Sequence, residues 1–457
     1  MSVIACPIAE TAKHHPETVA IASLREVVTY GQLHRRICEY QAGLKPLQLR
    51  SCALYAPTSI ESIACLWAMF REGITVFVLH LRHEIQTLAP HLHTCEITHV
   101  VHDNLPETTP DFPFGLLPLS QLRKPSPNQH PAICLNPIST YIMTSGSSGK
   151  PKIAAHTFSQ HMYSALGMNT HLVFGPTDQW LLTLPLFHVS GLAILFRCFF
   201  AGATVLLPDQ GVPLRHLMSA LRPSHLSVVP YQLKQLDHID DITRQKIRAI
   251  VLGGSACPEP ILKAAHQKGL PVFNSYGMTE MSATITCNDQ PNASSGKVLP
   301  YREIKITETG EIAVRGKSLF SGYLSEGYLS LPLTYDGWFL TGDNGHIDNQ
   351  QLYVEGRRDA MIISGGENIQ PEEIEAVLLG IPEIEQVCVV GISDPEFGQR
   401  PVAFISPMLP QADLTKILEK KLPKYKWPVR FFGFPDQVAG KPSRYRLREW
   451  AENGMVR

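Results

Sequence analysis

Charge is scarce in this chain and almost balanced: only 18% of the residues are charged, 40 basic against 41 acidic, for a formal net charge of −1. That excludes a global field able to draw nucleic acid or an acidic membrane, so any anion site has to be local. The ten cysteines, scattered from Cys6 to Cys388, contain no C-x-x-C pair, which removes a zinc knuckle and a compact disulfide framework and fits reduced thiols in a cytosol. MSVIACPIAE, which lacks a basic start and reaches Glu10 before any long apolar run, is not expected to act as a secretory signal. The most apolar stretch, Val189 to Leu207, carries Arg197 near its middle and is interrupted by Gly191 and Gly202, so it reads as a buried helix followed by a strand and not as a membrane span. What remains is a hydrophobic content of 44% over 457 residues, enough for sizeable cores and about three folding units. The expectation is a soluble, cytoplasmic, globular protein.

Helical and strand-like periods alternate along the first 300 residues. Leu33, Ile37, Tyr40 and Leu44 recur at helical spacing, as do Ile60, Ile63, Trp67 and Phe70 ahead of the strand-like Thr75 to Leu79. ATVLL (203–207), HLSVVP (225–230), IRAIVLGG (247–254) and LPVFNSYG (270–277) repeat the strand signal. Pro106 to Pro137 is proline-rich and reads as an irregular surface connection. After Gly296 the text changes to EIKIT, GEIAVRG, GWFLTGDNGHID and QLYVEG, an antiparallel meander with Asp-Gly and Asn-Gly turns. Beyond Gly356 comes a smaller α+β unit with a helix opening at Pro371, strands VCVVGI and PVAFIS, and a helix through Leu414 to Leu422. The expected fold class is α/β: a large domain of stacked sheets over 1–357, with a β-rich subdomain at about 297–357, and a mobile lid domain over 358–457.

The chemistry concentrates in TSGSSGKPK, Thr144 to Lys152, after an apolar strand. Small residues, hydroxyls and two lysines suit a flexible phosphate cradle, but Gly146 and Gly149 enclose only two residues and Pro151 follows Lys150, so this is not a Walker loop. YGMTE (276–280), TGD (341–343) and GRRDAMIISGGENIQPEEIE (356–375) follow in order, with TYGQL (29–33) upstream. Together these segments resemble the adenylate-forming superfamily of acyl-CoA synthetases, luciferases and amino-acid-activating domains. The resemblance implies a two-step reaction in which a carboxylate attacks the α-phosphate of ATP, releasing pyrophosphate, and a thiol, usually of coenzyme A, then displaces AMP.

Residue by residue, the resemblance assigns ATP contacts to Thr144, Ser145, Gly146, Ser147, Ser148, Gly149 and Lys152, with Thr279 at the α-phosphate and Glu280 holding Mg²⁺. Gly253, Gly254 and Ser255, with Tyr276, Gly277 and Met278, resemble the slot for adenine. Asp343 would accept from the ribose hydroxyls and Arg357 would be the second ribose or phosphate ligand. Asp359 resembles the hinge of the small domain, and Gly365 and Gly366 the approach to the pantetheine arm of coenzyme A. Lys441, after Gly440, resembles the lysine that stabilises the adenylating transition state. The residues around it depart from the family pattern, with Asp436 and Gln437 after Pro435. From Lys416 onward the chain has 11 Lys and Arg against 4 Asp and Glu, a solvated surface more readily than a coenzyme A site.

The acid is addressed by Leu184 to Leu207. His188 follows Phe187 where amino-acid-activating members carry Asp, which points to aryl or fatty acids. PLFHVSG, Arg197, DPEFGQRPVAF (394–404) and KPSRYRLREW (441–450) resemble most the o-succinylbenzoate:CoA ligase family of menaquinone biosynthesis. An aromatic dicarboxylate needs a flat apolar slot and a cation for the carboxylate that does not react, for which His188, Arg197 and Ser282 are the candidates, with Val229 to Leu233 lining the slot. Two alternatives stay open: another aryl- or fatty-acyl-CoA ligase, and a nucleotide-binding homologue without turnover. Joint retention of Glu280, Asp343, Arg357 and Lys441 argues against the latter. Partners are then a small carboxylic acid, ATP and coenzyme A; nucleic acid and a membrane span are not expected, and a homo-oligomer stays open.

Overall fold

The structure, a computed structural model, describes residues 2–81, 83–105, 112–127, 132–144, 151–236, 239–254, 257–435 and 443–453. Two large sheets dominate it. The first has eight strands, in the order Tyr328–Ser330, Gly322–Ser325, Lys152–Thr157, Ile138–Thr144, Thr75–Val78, Ser51–Tyr55, His99–His102 and Gly115–Pro118. In the nine-stranded second sheet, six neighbouring strands run parallel: Val272–Met278, Ala249–Leu252, His225–Val228, Gln179–Leu181, Thr204–Leu206 and Val19–Ala22. Ala283–Asn288 then turns back antiparallel beside Val272–Met278. Parallel strands need crossovers, and the helical periods of the sequence supply them.

The helices Ile60–Arg71, Phe158–Leu172 and Val189–Ala201 carry the main core. Trp67 meets Phe196 and Phe199 at ring separations of 5.1 and 4.8 Å, and Phe158 meets Phe196 at 5.0 Å. Such tilted and edge-on packing adds to the burial of large apolar rings. Burial of almost the whole of Val189–Ala201 explains the apolar run in the sequence, and among the described residues no helix is long and apolar enough to cross a membrane. Each of the helices Tyr30–Leu44, Ile60–Arg71 and Phe158–Leu172 opens with a reciprocal cap, Thr29 with Gln32, Ser59 with Ser62 and Thr157 with Gln160.

The third sheet, Arg302–Ile306, Glu311–Gly316, Phe339–Asp348 and Gln351–Arg357, is the expected meander, with two differences. Asn344-Gly345 is no turn: it is a bulge inside the ten-residue strand Phe339–Asp348, where the register shifts against Gln351–Arg357. Gly322–Ser325 and Tyr328–Ser330 leave this sheet and extend the first. The proline-rich connection is also less irregular than expected, since Gly115–Pro118 forms an outer strand, where a residue without N–H is tolerated. The fourth sheet begins at Ile362, after the turn Arg358–Ala360, and packs against Pro371–Leu379 and Gln411–Glu419 around Ile374, Leu378, Leu414 and Leu418.

Candidate active site

The strands on either side of the phosphate-loop segment place its ends. Ile138–Thr144 and Lys152–Thr157 pair antiparallel with Thr144 directly opposite Lys152. Ser145, Gly146, Ser147, Ser148 and Gly149 lie outside the described residues, as do Ser255 and Lys441. The Lys152 ammonium sits 4.7 Å from the centre of the Tyr323 ring. The Tyr323 hydroxyl donates to Glu280 Oε1, and burial together with this carboxylate pushes the phenol above its ordinary range. Glu280, only 9% exposed, follows Thr279 in the turn Thr279–Met281 at the end of strand Val272–Met278. The Phe320 amide donates to the Glu280 carbonyl at 2.8 Å, so both ends of this residue are held from the segment 320–323.

The residues expected at adenine gather at the carboxyl ends of neighbouring parallel strands, and those expected at the ribose lie on the antiparallel third sheet. Gly253 and Gly254 follow Ala249–Leu252, and Tyr276, Gly277 and Met278 end the next strand. At Gly277 a Cβ would come within 2.3 Å of the Ala283 carbonyl oxygen, so only glycine allows the strand Ala283–Asn288 this close. Tyr276 Oη donates to Asp343 Oδ2 at 2.6 Å, and Arg357 Nη1 reaches Asp343 Oδ1 at 3.3 Å and the Thr341 carbonyl at 3.0 Å. Arg357 Nε and Nη2 fork onto the two carboxylate oxygens of Asp359 at 3.1 and 2.9 Å. Burial pushes the Asp343 carboxyl up, while Tyr276 and Arg357 favour its charged form; the hydrogen bonds to Asp359 come first in raising Arg357. Asp343 is thus not on a turn between strands. It lies within Phe339–Asp348, paired with Arg357, because the glycine-containing bulge keeps the strand continuous.

The acyl-directed residues sit on or beside helix Val189–Ala201. His188 is exposed at its N-terminus, its ring 4.5 Å from that of Phe187, which stacks on His80 at 4.0 Å. Arg197 points inward and is 2% exposed. Its Nη2 donates to Thr284 Oγ1 at 3.0 Å, its guanidinium lies 5.0 Å from the centre of the Trp180 ring, and its Nε has no partner. Burial pulls it down to about 10. No carboxylate pairs with it among the described residues. The Ser282 hydroxyl is buried and donates to the Ser318 carbonyl at 2.9 Å, with the backbone held at φ +53°. Gly365 and Gly366, at φ +58° and +85°, form the two-residue turn between Ile362–Ser364 and Glu367–Ile369.

Tyr323, Thr284 and His156 belong to this region and were not singled out from the sequence. Tyr323 lies in a short strand that changes sheet, and Thr284 and His156 follow only from side-chain direction. The one available signal was polar residues in otherwise apolar strands.

On this α/β scaffold the chain belongs to the AMP-binding enzyme family, whose model matches residues 8–324. A second model, the AMP-binding enzyme C-terminal domain, matches 373–441. Among curated relatives, the chain is similar to "2-succinylbenzoate--CoA ligase" of Escherichia coli (strain K12), 38% identical over 314 residues, 68% of each chain. The enzyme of that name from Bacillus cytotoxicus is 31% identical over 472 residues, 96% of each chain. Among solved structures, o-succinylbenzoate CoA synthetase from Bacillus subtilis in complex with the acyl-adenylate intermediate OSB-AMP superposes with a TM-score of 0.87 at 28% identity, covering 98% of this chain and 99% of that one. The same synthetase with ATP and magnesium ion gives 0.87 at 29% identity, covering 98% and 100%.

Proposed function

We propose that the chain is an ATP-dependent, AMP-forming acid:CoA ligase whose acid is o-succinylbenzoate. One carboxylate of the acid attacks the α-phosphorus of ATP, the bond to pyrophosphate breaks, and the acyl-adenylate forms. The sulfur of coenzyme A then attacks the acyl carbonyl, its proton passes to solvent, and AMP leaves. Asp343 and Arg357 hold the ribose, with Tyr276 fixing the Asp343 carboxylate. Thr144, Lys152 and Thr279 face the phosphates, Lys441 supplies charge in the adenylating step, and Asp359 is the hinge between the two half-reactions.

The residues fit a magnesium ion. Among the described residues no group of three or more His, Cys, Asp or Glu could hold a metal, and Glu280 is a single buried carboxylate oriented by Tyr323. Magnesium is bound in this manner, by one or two carboxylates plus substrate phosphates and water. When bound it would neutralise charge on the phosphates.

The observation that carries the choice of acid is Arg197, a buried guanidinium on an apolar helix that no carboxylate among the described residues balances. A second carboxylate on the substrate supplies that balance, and a monoacid leaves the group unpaired, at a cost of about 1–3 kcal/mol. The test is kcat/KM, by AMP release, for o-succinylbenzoate, benzoate and a medium-chain fatty acid. Preference for the first supports the proposal; equal values, or the fatty acid ahead, transfer it to a general acyl-CoA ligase.

A further inference from the structure

Beneath the phosphate-directed residues lie two buried histidines that the proposed reaction does not use. His156 is fully buried on strand Lys152–Thr157, and its Nε2 lies 2.8 Å from the Thr279 carbonyl oxygen. A carbonyl only accepts, so Nε2 carries the proton and donates. The His156 ring stacks on that of His161 at 5.0 Å and 28°, and His161 Nε2 lies 2.7 Å from Thr140 Oγ1. Thr140 is in turn the cross-strand partner of His156. One contiguous set therefore joins the strand entering the phosphate loop, the strand leaving it, the following helix and the turn bearing Thr279 and Glu280. Burial pulls His156 down to about 4 and His161 well below its ordinary value, so both rings are neutral near pH 7 and the link is a plain hydrogen bond.

The Thr279 carbonyl has a second donor, the Ser282 amide at 3.0 Å, which closes the turn itself. Local turn formation is thereby separated from turn placement: without the imidazole the turn still closes and Glu280 keeps its ties to segment 320–323, but among the described residues the Thr279 carbonyl loses its direct hydrogen bond to strand Lys152–Thr157. A leucine would fill the same space without offering a donor. We propose that His156 is a positioning residue that sets Thr279 and Glu280 relative to the phosphate loop, and so tunes how magnesium-bound ATP is held. This rests on the ligase reading above.

The experiment compares His156→Leu, which removes the donor, with His156→Gln, whose amide nitrogen reaches about as far as Nε2. Loss of such an outer support costs about 10- to 100-fold in metal affinity or activity. We expect His156→Leu to need at least tenfold more free Mg²⁺ for half-maximal adenylation, and to lose most of the thermal stabilisation that MgATP adds over ATP in EDTA. Thioester formation from presupplied acyl-adenylate should stay within about twofold of the parent. His156→Gln should restore most of the Mg²⁺ response. The proposal is overturned if the leucine protein keeps the parent Mg²⁺ dependence, if leucine and glutamine lose equally, or if both half-reactions fall together. Should the leucine protein not fold, His156→Asn, whose amide stops short of the carbonyl, is judged by the same criteria. If the parent protein releases no AMP with any acid, it is the ligase reading that fails, while the difference in MgATP stabilisation still judges His156.

Discussion

The two ends of the candidate site balance their charges in opposite ways. At the nucleotide end, Asp343 takes a hydrogen bond from Tyr276 and an ion pair from Arg357, and Arg357 divides itself between Asp343 and Asp359. At the proposed acyl end, Arg197 has a hydroxyl and an aromatic face, and the buried Arg302 has, among the described residues, the Pro300 and Ser164 carbonyls and the Ser164 hydroxyl. Burial pulls Arg302 down to about 9, with the charge of Arg197 adding to the effect. A buried ion is costly unless paired, so the first end is self-consistent in the protein alone, while the second holds positive charge that a substrate anion can satisfy. On the proposed function, one end serves preorganisation and the other selection.

The largest expected effect is at Lys441, to which the proposed reaction assigns charge in the adenylating step. Lys441→Ala should slow adenylation by on the order of 100-fold or more, yet leave thioester formation from presupplied acyl-adenylate intact. Single-turnover assays of the two half-reactions measure this, and an equal fall in both would remove the assigned role. At the acyl end, Arg197→Met should reduce the preference for o-succinylbenzoate over benzoate by about tenfold or more. The same change should leave the melting temperature unchanged or higher, because an unbalanced buried charge is replaced by apolar volume. A lower melting temperature with the preference retained would mean that Arg197 is structural and that the contrast between the two ends is false.

Asp343→Ala should do the reverse. It removes an acceptor from the buried Tyr276 hydroxyl and one partner from Arg357, so stability should drop by about 1–3 kcal/mol and KM for ATP should rise about tenfold. Denaturant titration and initial rates check both numbers. The smallest effect is one of pH. The unfolded chain protonates His156 and His161 near 6.5, whereas burial holds His156 neutral in the fold down to about 4 and His161 neutral well below its ordinary value. Protons then bind the unfolded state preferentially, so stability is full above pH 6.5 and is lost as pH falls below it, by up to about 1.4 kcal/mol per pH unit for each ring. Replacing His161 by Phe should flatten that slope in urea titrations between pH 6.5 and 4.5.

How much of this was readable in advance divides along the same line. The helices Tyr30–Leu44 and Ile60–Arg71 and the strands Thr75–Val78, His225–Val228 and Ala249–Leu252 were legible because their period and caps are local. Asn344-Gly345 was misread because a bulge and a hairpin turn use the same residue pair, and only the register of the partner strand separates them. The direction of the Ser282 hydroxyl was not legible either, since it goes with a positive φ that no neighbouring residue signals. His156 and Tyr323 were invisible, being polar residues whose partners stand 123 and 43 positions away.

The sequence by itself determined the alternation of helices and parallel strands, the antiparallel meander, and the ordered motifs from Thr144 to Glu375 that mark an adenylate-forming enzyme. These are properties of period and spacing, which are written along the chain. Only the tertiary structure decided that Asp343, Tyr276, Arg357 and Asp359 form one network, that Tyr323 orients Glu280, and that Arg197 is buried with no carboxylate beside it among the described residues. Pairing of charges depends on which side chains from distant segments share a low-dielectric interior, and that is fixed by packing of the sheets and not by any local pattern.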